Sequence, residues 1–142
     1  GFWNRKYFLL LLMYVLFMCY TVVISMAYDF YKALEWGYEH NVLTTNEPDL
    51  AKNVTIMIAF ILNFIVATLM TAFLKFHLML AVENKTTIEN LDKMGKPFNS
   101  IYDVGKRANW RQIFGANPWL YPFPIFCGSG KPVGDGIYWP TI

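Results

Sequence analysis

The side chains that could act as nucleophiles or metal ligands are few and scattered in this sequence. Its 142 residues contain two cysteines and two histidines. Cys19 lies inside an apolar run, Cys127 lies near the C-terminus, and His40 and His77 show no ligand spacing with them. A structural zinc site needs four grouped ligands, and covalent catalysis needs a nucleophile beside a base. By themselves, these residues indicate neither a metal site nor a complete active site.

A polar stretch, ENKTTIENL, begins at Glu83 directly after a long apolar run. Thr86 and Glu89 stand three residues apart, which is the spacing of a capping box. In that arrangement the threonine hydroxyl accepts a hydrogen bond from an amide at the start of a helix, and the glutamate reaches back. Thr87 would be left free by these contacts. The stretch can therefore be a helix start, part of a functional motif, or both.

Two apolar runs predict an all-α membrane protein. The chain is 56% hydrophobic and only 15% charged. The 22 residues Tyr7–Tyr28 and the 21 residues Val54–Leu74 contain no charge. Either run would cross about 30 Å of hydrocarbon as an α-helix. Two buried helices of a soluble protein are the alternative, which is disfavoured because all faces of both runs are apolar.

The charges near the runs predict that both termini are cytosolic. Arg5 and Lys6 precede the first run, and Lys75 and Lys85 follow the second. The loop 29–53 has two lysines and five acids, so we expect it to be lumenal or extracellular. The net charge of +2 is too small to indicate a nucleic-acid partner.

The remaining segment, 75–142, is predicted to be an irregular cytosolic tail. It holds six of the seven prolines, which rules out one long helix. A short helix is expected from Tyr102 to Phe114, with Gly115 ending it.

Two helix faces carry patterns that leave alternatives open. Small and polar residues recur at four-residue spacing on the second run, at Ala59, Asn63, Ala67 and Thr71. They indicate helix packing or a substrate contact. On the first run Phe8, Leu11, Val15 and Met18 share a face that suits either an apolar ligand or plain interhelical packing.

Three stretches resemble motifs of the Asp-His-His-Cys (DHHC) protein S-acyltransferases, which are palmitoyltransferases. Residues 1–8 fit the GxxNxxxF end of that family's cysteine-rich module, and residues 86–89 resemble its TTxE motif. Residues 102–115 are similar to its C-terminal motif, at Tyr102, Gly105, Asn109, Phe114 and Gly115. The order of the stretches, their placement around two apolar runs, and Gly134-Asp135-Gly136 followed by an aromatic residue and a proline make the resemblance specific.

The resemblance implies that the chain is the C-terminal part of a longer enzyme and begins just after its cysteine-rich module. Residues 1–6 would end that module, and the runs 7–28 and 54–74 would be the third and fourth of four transmembrane helices. Zinc would be bound in the upstream module and by no residue of this chain. Neither Cys19 nor Cys127 matches the nucleophile, so we expect the 142 residues alone to be inactive.

The activity implied by the resemblance is transfer of a long acyl chain from palmitoyl-CoA to protein cysteines through an acyl-enzyme. The implied partners are membrane lipid, palmitoyl-CoA, membrane-associated protein substrates and the N-terminal half of the same enzyme. The implied location is multi-pass and integral, in an endomembrane (ER, Golgi or vacuole) or the plasma membrane.

Within this chain the resemblance implies supporting roles. Thr86, Thr87 and Glu89 would approach the cysteine-rich module, with hydroxyls available to its catalytic aspartate. Asn109 would tie the tail to the TTxE region and the helix ends through its amide. The candidates for the wall of an acyl pocket are Phe8, Leu11, Val15 and Met18. The alternative function is a non-catalytic two-span tether or assembly subunit whose aromatic tail binds a partner.

Overall fold

The computed structural model describes residues 4–40, 49–92, 100–135 and 137–138. Its regular elements in these ranges are helices: α1 (Asn4–Glu39), α2 (Leu50–Val82), α3 (Thr87–Asp92) and α4 (Lys106–Phe114). Two short 3-10 helices, Pro118–Leu120 and Gly128–Gly130, follow. Residues 1–3 of the first motif, residues 41–48 of the loop, and Pro97, Gly136, Trp139 and Pro140 lie outside the described ranges.

Helices α1 and α2 are long and apolar enough to cross a membrane. They contain 36 and 33 residues, and the most apolar 18-residue stretch of each has a mean hydropathy of 2.4. Only 17% and 6% of these two stretches are buried inside the protein. The core helix of a soluble protein would be mostly buried, so the low burial argues against that alternative.

Both helices extend beyond the charge-free runs. Helix α1 continues past Tyr28 to Glu39, and α2 begins before Val54 and ends after Leu74. The runs were delimited by charge, but charged residues such as Lys and Glu form helices readily and do not end them. The helical part of the predicted loop 29–53 is thus a continuation of α1 and α2.

The chain divides into two compact units, of which the first comprises residues 1–13 and 73–142 and the second Tyr14–Ala72. In the second unit, α1 and α2 meet through the hydroxyls of Tyr20 and Thr71, 2.9 Å apart. The rings of Phe30 and Phe60 also stack there, with centroids 4.1 Å apart. Ala67 of the small-residue face is buried, which lets the helix backbones approach closely. These contacts favour helix packing over a substrate contact for that face.

The first unit has its own hydrophobic core, in which α4 packs against the start of α1 and the end of α2. Its buried members are Leu9, Leu10, Ala81, Ile113 and Phe114. Trp110 extends this core by stacking on Phe114 with a centroid distance of 4.5 Å. Helix α4 thus holds the C-terminal segment against both long helices.

Helix α4 begins at Lys106, so the predicted start at Tyr102 is wrong. Gly105 has a φ of +102°, which is outside helical geometry, and its amide donates to Asp103 Oδ1 at 3.0 Å. The residues before Lys106 therefore form a turn. The predicted end is confirmed, because Gly115 has a φ of +92° and its amide donates to the Arg111 carbonyl.

Lys6 holds the C-terminal segment to α1. The side chain is fully buried, with 0% exposed. Its Nζ lies 3.0 Å from the carbonyl oxygen of Ile125, 3.1 Å from that of Gly130, and 3.4 Å from those of Phe114 and Leu120. A buried ammonium is stable only if its donors are used, and here backbone carbonyls use them.

We expect Lys6→Met to destabilise the protein by about 3 kcal/mol, because methionine fills the space but leaves buried carbonyls without a donor. Thermal unfolding in detergent measures the loss. The control is Lys75→Met, which removes an exposed lysine of α2. A similar melting temperature for both variants would show that the Lys6 contacts contribute nothing to stability.

Candidate functional site

The first unit contains a cavity of ≈ 630 Å³ in which residues of all three sequence motifs meet. Its lining comes from the start of α1, the end of α2 and the segments that follow α2. The lining residues are Asn4, Arg5, Phe8, Leu9, His77, Leu80, Asn84, Lys85, Thr86, Thr87, Glu89 and Tyr102. The TTxE residues and Tyr102 of the C-terminal motif thus border one space.

The capping box predicted at the start of α3 is confirmed. Glu89 Oε2 accepts hydrogen bonds from the Thr86 amide and from Thr86 Oγ1, both at 2.8 Å. Thr86 Oγ1 in turn accepts from the Glu89 amide at 3.2 Å. The contacts hold the Thr86 and Glu89 side chains together at the edge of the cavity.

The Thr87 hydroxyl, unlike that of Thr86, takes no part in the capping box. Its side chain is exposed, borders the cavity, and forms no hydrogen bond to another described residue. Its neighbours Ile88 and Leu91 are 70% and 58% exposed. Helix α3 therefore presents one hydroxyl and two apolar side chains that no described residue covers.

Arg5 fastens the start of α1 to the end of α2. One guanidinium nitrogen donates to Asn84 Oδ1 at 3.0 Å. The other donates to the carbonyls of Leu80 and Lys85, at 3.3 and 3.1 Å. The arginine thus adds hydrogen bonds to the turn that ends α2, where the Leu80 carbonyl also accepts from the Lys85 amide.

Asn84 ends α2 and joins it to the C-terminal segment. With a φ of +48° it occupies the left-handed position, and the Lys85 amide returns to the Leu80 carbonyl at 2.9 Å, as in a Schellman motif. Its Nδ2 donates to the Tyr102 carbonyl at 2.8 Å and to Gln112 Oε1 at 3.1 Å. The single side chain therefore contacts three parts of the first unit.

Asn109 of α4 also reaches the end of α2. Its Nδ2 donates to the Val82 carbonyl at 2.7 Å and to Asp103 Oδ1 at 2.6 Å. Its Oδ1 accepts from the Val104 amide at 3.2 Å. The residue is 1% exposed, so all its polar atoms are satisfied inside the protein. The amide connects α4, the preceding turn and the last residue of α2.

The glycines and Phe114 of the C-terminal motif act through the backbone and the core. Phe114 is 1% exposed and packs on Trp110 and Tyr121. A Cβ on Gly115 would lie 2.6 Å from the Ser129 carbonyl oxygen, so both the close approach and the positive φ require glycine.

Of the four acyl-pocket candidates, one lines the cavity and three do not. Phe8 lines the cavity, and its ring meets that of His77 edge to face at 4.9 Å. Leu11, Val15 and Met18 do not line it, and Leu11 and Met18 are 58% and 63% exposed. The acyl-pocket assignment of all four residues therefore stays a prediction, and only Phe8 borders the cavity.

Asp135 of the Gly-Asp-Gly stretch caps a turn. Its Oδ1 accepts from the amides of Ile137 and Tyr138, both at 2.9 Å, and these bonds lower the pKa of the Asp135 carboxyl.

Metal ligands are not grouped in the described ranges. No three His, Cys, Asp or Glu side chains there could hold a metal ion together.

Arg5, Lys6, Asn84 and Gln112 are the contributors that sequence reasoning missed. The sequence assigns Arg5 and Lys6 a role in orienting the helices and a place within the first motif, but it predicts none of their contacts with the rest of this chain. The signal for Asn84 was available, because asparagine is a common non-glycine residue in the left-handed position after a helix. Nothing in the sequence marks the pairing of Gln112 with Asn84.

The chain belongs to the DHHC palmitoyltransferase family, whose model matches residues 1–94. It is 28% identical over 159 aligned residues to Palmitoyltransferase PFA3 of Yarrowia lipolytica, covering 99% of this chain and 39% of that protein. It is 31% identical over 144 residues to Palmitoyltransferase ZDHHC20 of Homo sapiens, with 99% and 36% covered. For Probable protein S-acyltransferase 13 of Arabidopsis thaliana the identity is 31% over 128 residues, with 90% and 40% covered. The chain thus spans about two fifths of the length of these curated relatives.

We expect Asn109→Asp to destabilise the first unit more than Asn109→Ala does. The alanine loses the bonds to Val82 and Asp103, at a cost of about 2 kcal/mol. The aspartate keeps the acceptor for Val104 but places a carboxylate against the Val82 carbonyl and the Asp103 carboxylate, which adds repulsion. Thermal unfolding and hydrogen exchange of amides 83–92 measure both effects.

The matched control for this pair is the double variant Asn109→Asp with Asp103→Asn, which restores one donor and one carboxylate. It should recover part of the stability lost in Asn109→Asp alone. Equal stability of the two Asn109 variants would contradict the contact with Asp103.

Proposed function

We propose that a protein carrying this chain is a protein-cysteine S-palmitoyltransferase, in which α1 and α2 cross the membrane and both termini lie in the cytosol. The observation that carries the proposal is that TTxE residues and Tyr102 of the C-terminal motif border one cavity in a member of the DHHC palmitoyltransferase family. The same membership favours an enzyme over a non-catalytic tether. Palmitoyl-CoA is the proposed donor, and membrane-associated proteins are the proposed acceptors.

The proposed reaction is the exchange of one thioester for another through an acyl-enzyme. A thiolate of the cysteine-rich module attacks the thioester carbon of palmitoyl-CoA, and the CoA thiolate leaves. A thiolate of the acceptor protein then attacks the acyl-enzyme, and the enzyme thiolate leaves. Because one thioester is broken for each one formed, the catalytic gain has to come from positioning and activation.

The proposed role of this chain is to position that module over the cavity. Thr87 is the favoured contact, since its hydroxyl borders the cavity without a partner among the described residues. A threonine hydroxyl can donate to a carboxylate, which suits an aspartate that orients the catalytic histidine. Exposed Ile88 and Leu91 supply apolar surface beside it.

The proposed role of the α1 face is to bind the acyl chain. Each buried methylene contributes about 0.8 kcal/mol, so a hydrocarbon groove can bind a long chain tightly. Phe8 is the best supported candidate because it lines the cavity. Leu11, Val15 and Met18 follow it on the same face of α1, with side chains that are exposed and available for apolar contacts.

We expect Thr87→Ala to lower autoacylation about tenfold or more in a protein that carries this chain and its cysteine-rich module, because a small misplacement of the reacting groups slows transfer strongly. Incorporation of a labelled palmitoyl group from palmitoyl-CoA measures the rate. The control is Thr68→Ala, which removes an exposed threonine whose hydroxyl donates to the Phe64 carbonyl of its own helix and to no other residue that the structure describes. Normal autoacylation by Thr87→Ala would disprove the positioning role.

We expect the 142 residues alone to form no acyl-enzyme, because neither Cys19 nor Cys127 matches the nucleophile. Cys127 is exposed and provides the stricter test. The purified chain is incubated with labelled palmitoyl-CoA and compared with its Cys127→Ser variant. Transfer that requires Cys127 would overturn the proposed division of roles.

A further inference from the structure

A second hollow of the first unit lies on the exposed side of α4. It has a volume of ≈ 370 Å³ and is lined by Val82, Lys106, Arg107, Trp110, Arg111 and Tyr121. Three of these six residues are cations and two are aromatic. No carboxylate is among the lining residues that the structure describes.

The three cations are available for an external anion. Lys106, Arg107 and Arg111 are exposed, and none of them forms an ion pair or a side-chain hydrogen bond within the described part of the chain. Arg107 and Arg111 stand four residues apart and so lie on one face of α4. Each guanidinium group can donate two parallel hydrogen bonds to the oxygens of a phosphate, and two neighbouring guanidinium groups can bind the same phosphate.

The packing of α4 determines the level at which this hollow lies relative to the membrane. Ile113 and Phe114 pack against Leu10 in the first turns of the predicted span, and Asn109 bonds to the carbonyl of Val82. Val82 lies about 12 Å beyond Leu74, where the second predicted span ends. The headgroup layer of one leaflet extends about 5–7 Å from the hydrocarbon. Phe114 thus packs on a residue inside the hydrocarbon boundary, while Asn109 bonds to one beyond the headgroup layer. Given the membrane placement proposed above, α4 therefore crosses the level of the cytosolic headgroups.

We propose that this hollow binds the phosphate of an anionic phospholipid headgroup in the cytosolic leaflet. Arg107 and Arg111 hold the phosphate, and Lys106 adds charge. Trp110 and Tyr121 contact the region where headgroup and acyl chain join, as aromatic side chains do at membrane interfaces. This inference rests on the proposed function only through the membrane placement. The lipid is bound as a ligand and takes no part in acyl transfer.

Retention of phosphatidic acid by the protein tests the proposal. The protein carrying this chain is reconstituted in nanodiscs of phosphatidylcholine with a minor share of phosphatidic acid, and native mass spectrometry counts the retained lipids. We expect selective retention of phosphatidic acid, reduced by about an order of magnitude in Arg107→Gln with Arg111→Gln. The control is Lys32→Gln with Lys52→Gln, which removes the same charge outside α4.

Soluble phosphate compounds distinguish a lipid ligand from a soluble one. Glycerol 3-phosphate and free CoA carry related phosphate groups without a membrane anchor. Displacement of the lipid by either one at low concentration would overturn the proposal in favour of a soluble ligand. Equal loss in both double variants, or no loss in either, would also overturn it. Failure of the protein to enter nanodiscs would contradict the membrane placement itself, whereas insertion without selective retention would contradict only this inference.

Discussion

The first unit depends on one buried cation. Removing an ammonium from water costs several kcal/mol unless its donors are used. Lys6 uses them on four carbonyls between Phe114 and Gly130, a segment whose only regular elements are two short 3-10 helices. The Leu120 carbonyl also accepts from the Phe123 amide at 3.3 Å, but no sheet and no long helix pairs the carbonyls of this segment. Lys6 therefore does for this segment what regular secondary structure does elsewhere, and it positions α4 by the same contacts.

A second polar cluster, formed by Arg5, Asn84 and Asn109, joins α4 to the end of α2 beside the cavity. Arg5 donates to the carbonyls of Leu80 and Lys85 in the turn that ends α2, and also to the Asn84 side chain. Asn84 reaches Tyr102 and α4, while Asn109 returns from α4 to α2. Each contact is between groups far apart in the chain, so none forms until the helices have docked. Arg5, Asn84 and Tyr102 all line the cavity, so this docking forms part of its wall.

The sequence predicted local features well and distant pairings poorly. The capping box at Thr86 and the helix end at Gly115 were predictable because they depend on residues a few positions apart. The predicted start of α4 was wrong because the residues around Asp103 and Gly105 form a turn and not the first turn of the helix. Hydrophobic patterning identified α1 and α2, but it gave Lys6 and Arg5 a role in topology only. Their burial depends on carbonyls that lie 75 or more positions away in the chain, and no local pattern encodes that.

The cap and the motif at α3 are two consequences of one arrangement. Thr86 cannot both cap the helix and donate its hydroxyl proton to another module, because that donor is used by Glu89. The next residue, Thr87, starts the helix and projects a hydroxyl that the cap leaves unused. In the role proposed above for Thr87, the two adjacent threonines divide the work, since the first fixes the start of the helix and the second has its hydroxyl available for a second module. A single threonine hydroxyl could not donate both to Glu89 and to a second module, which is a physical reason for the pair in TTxE.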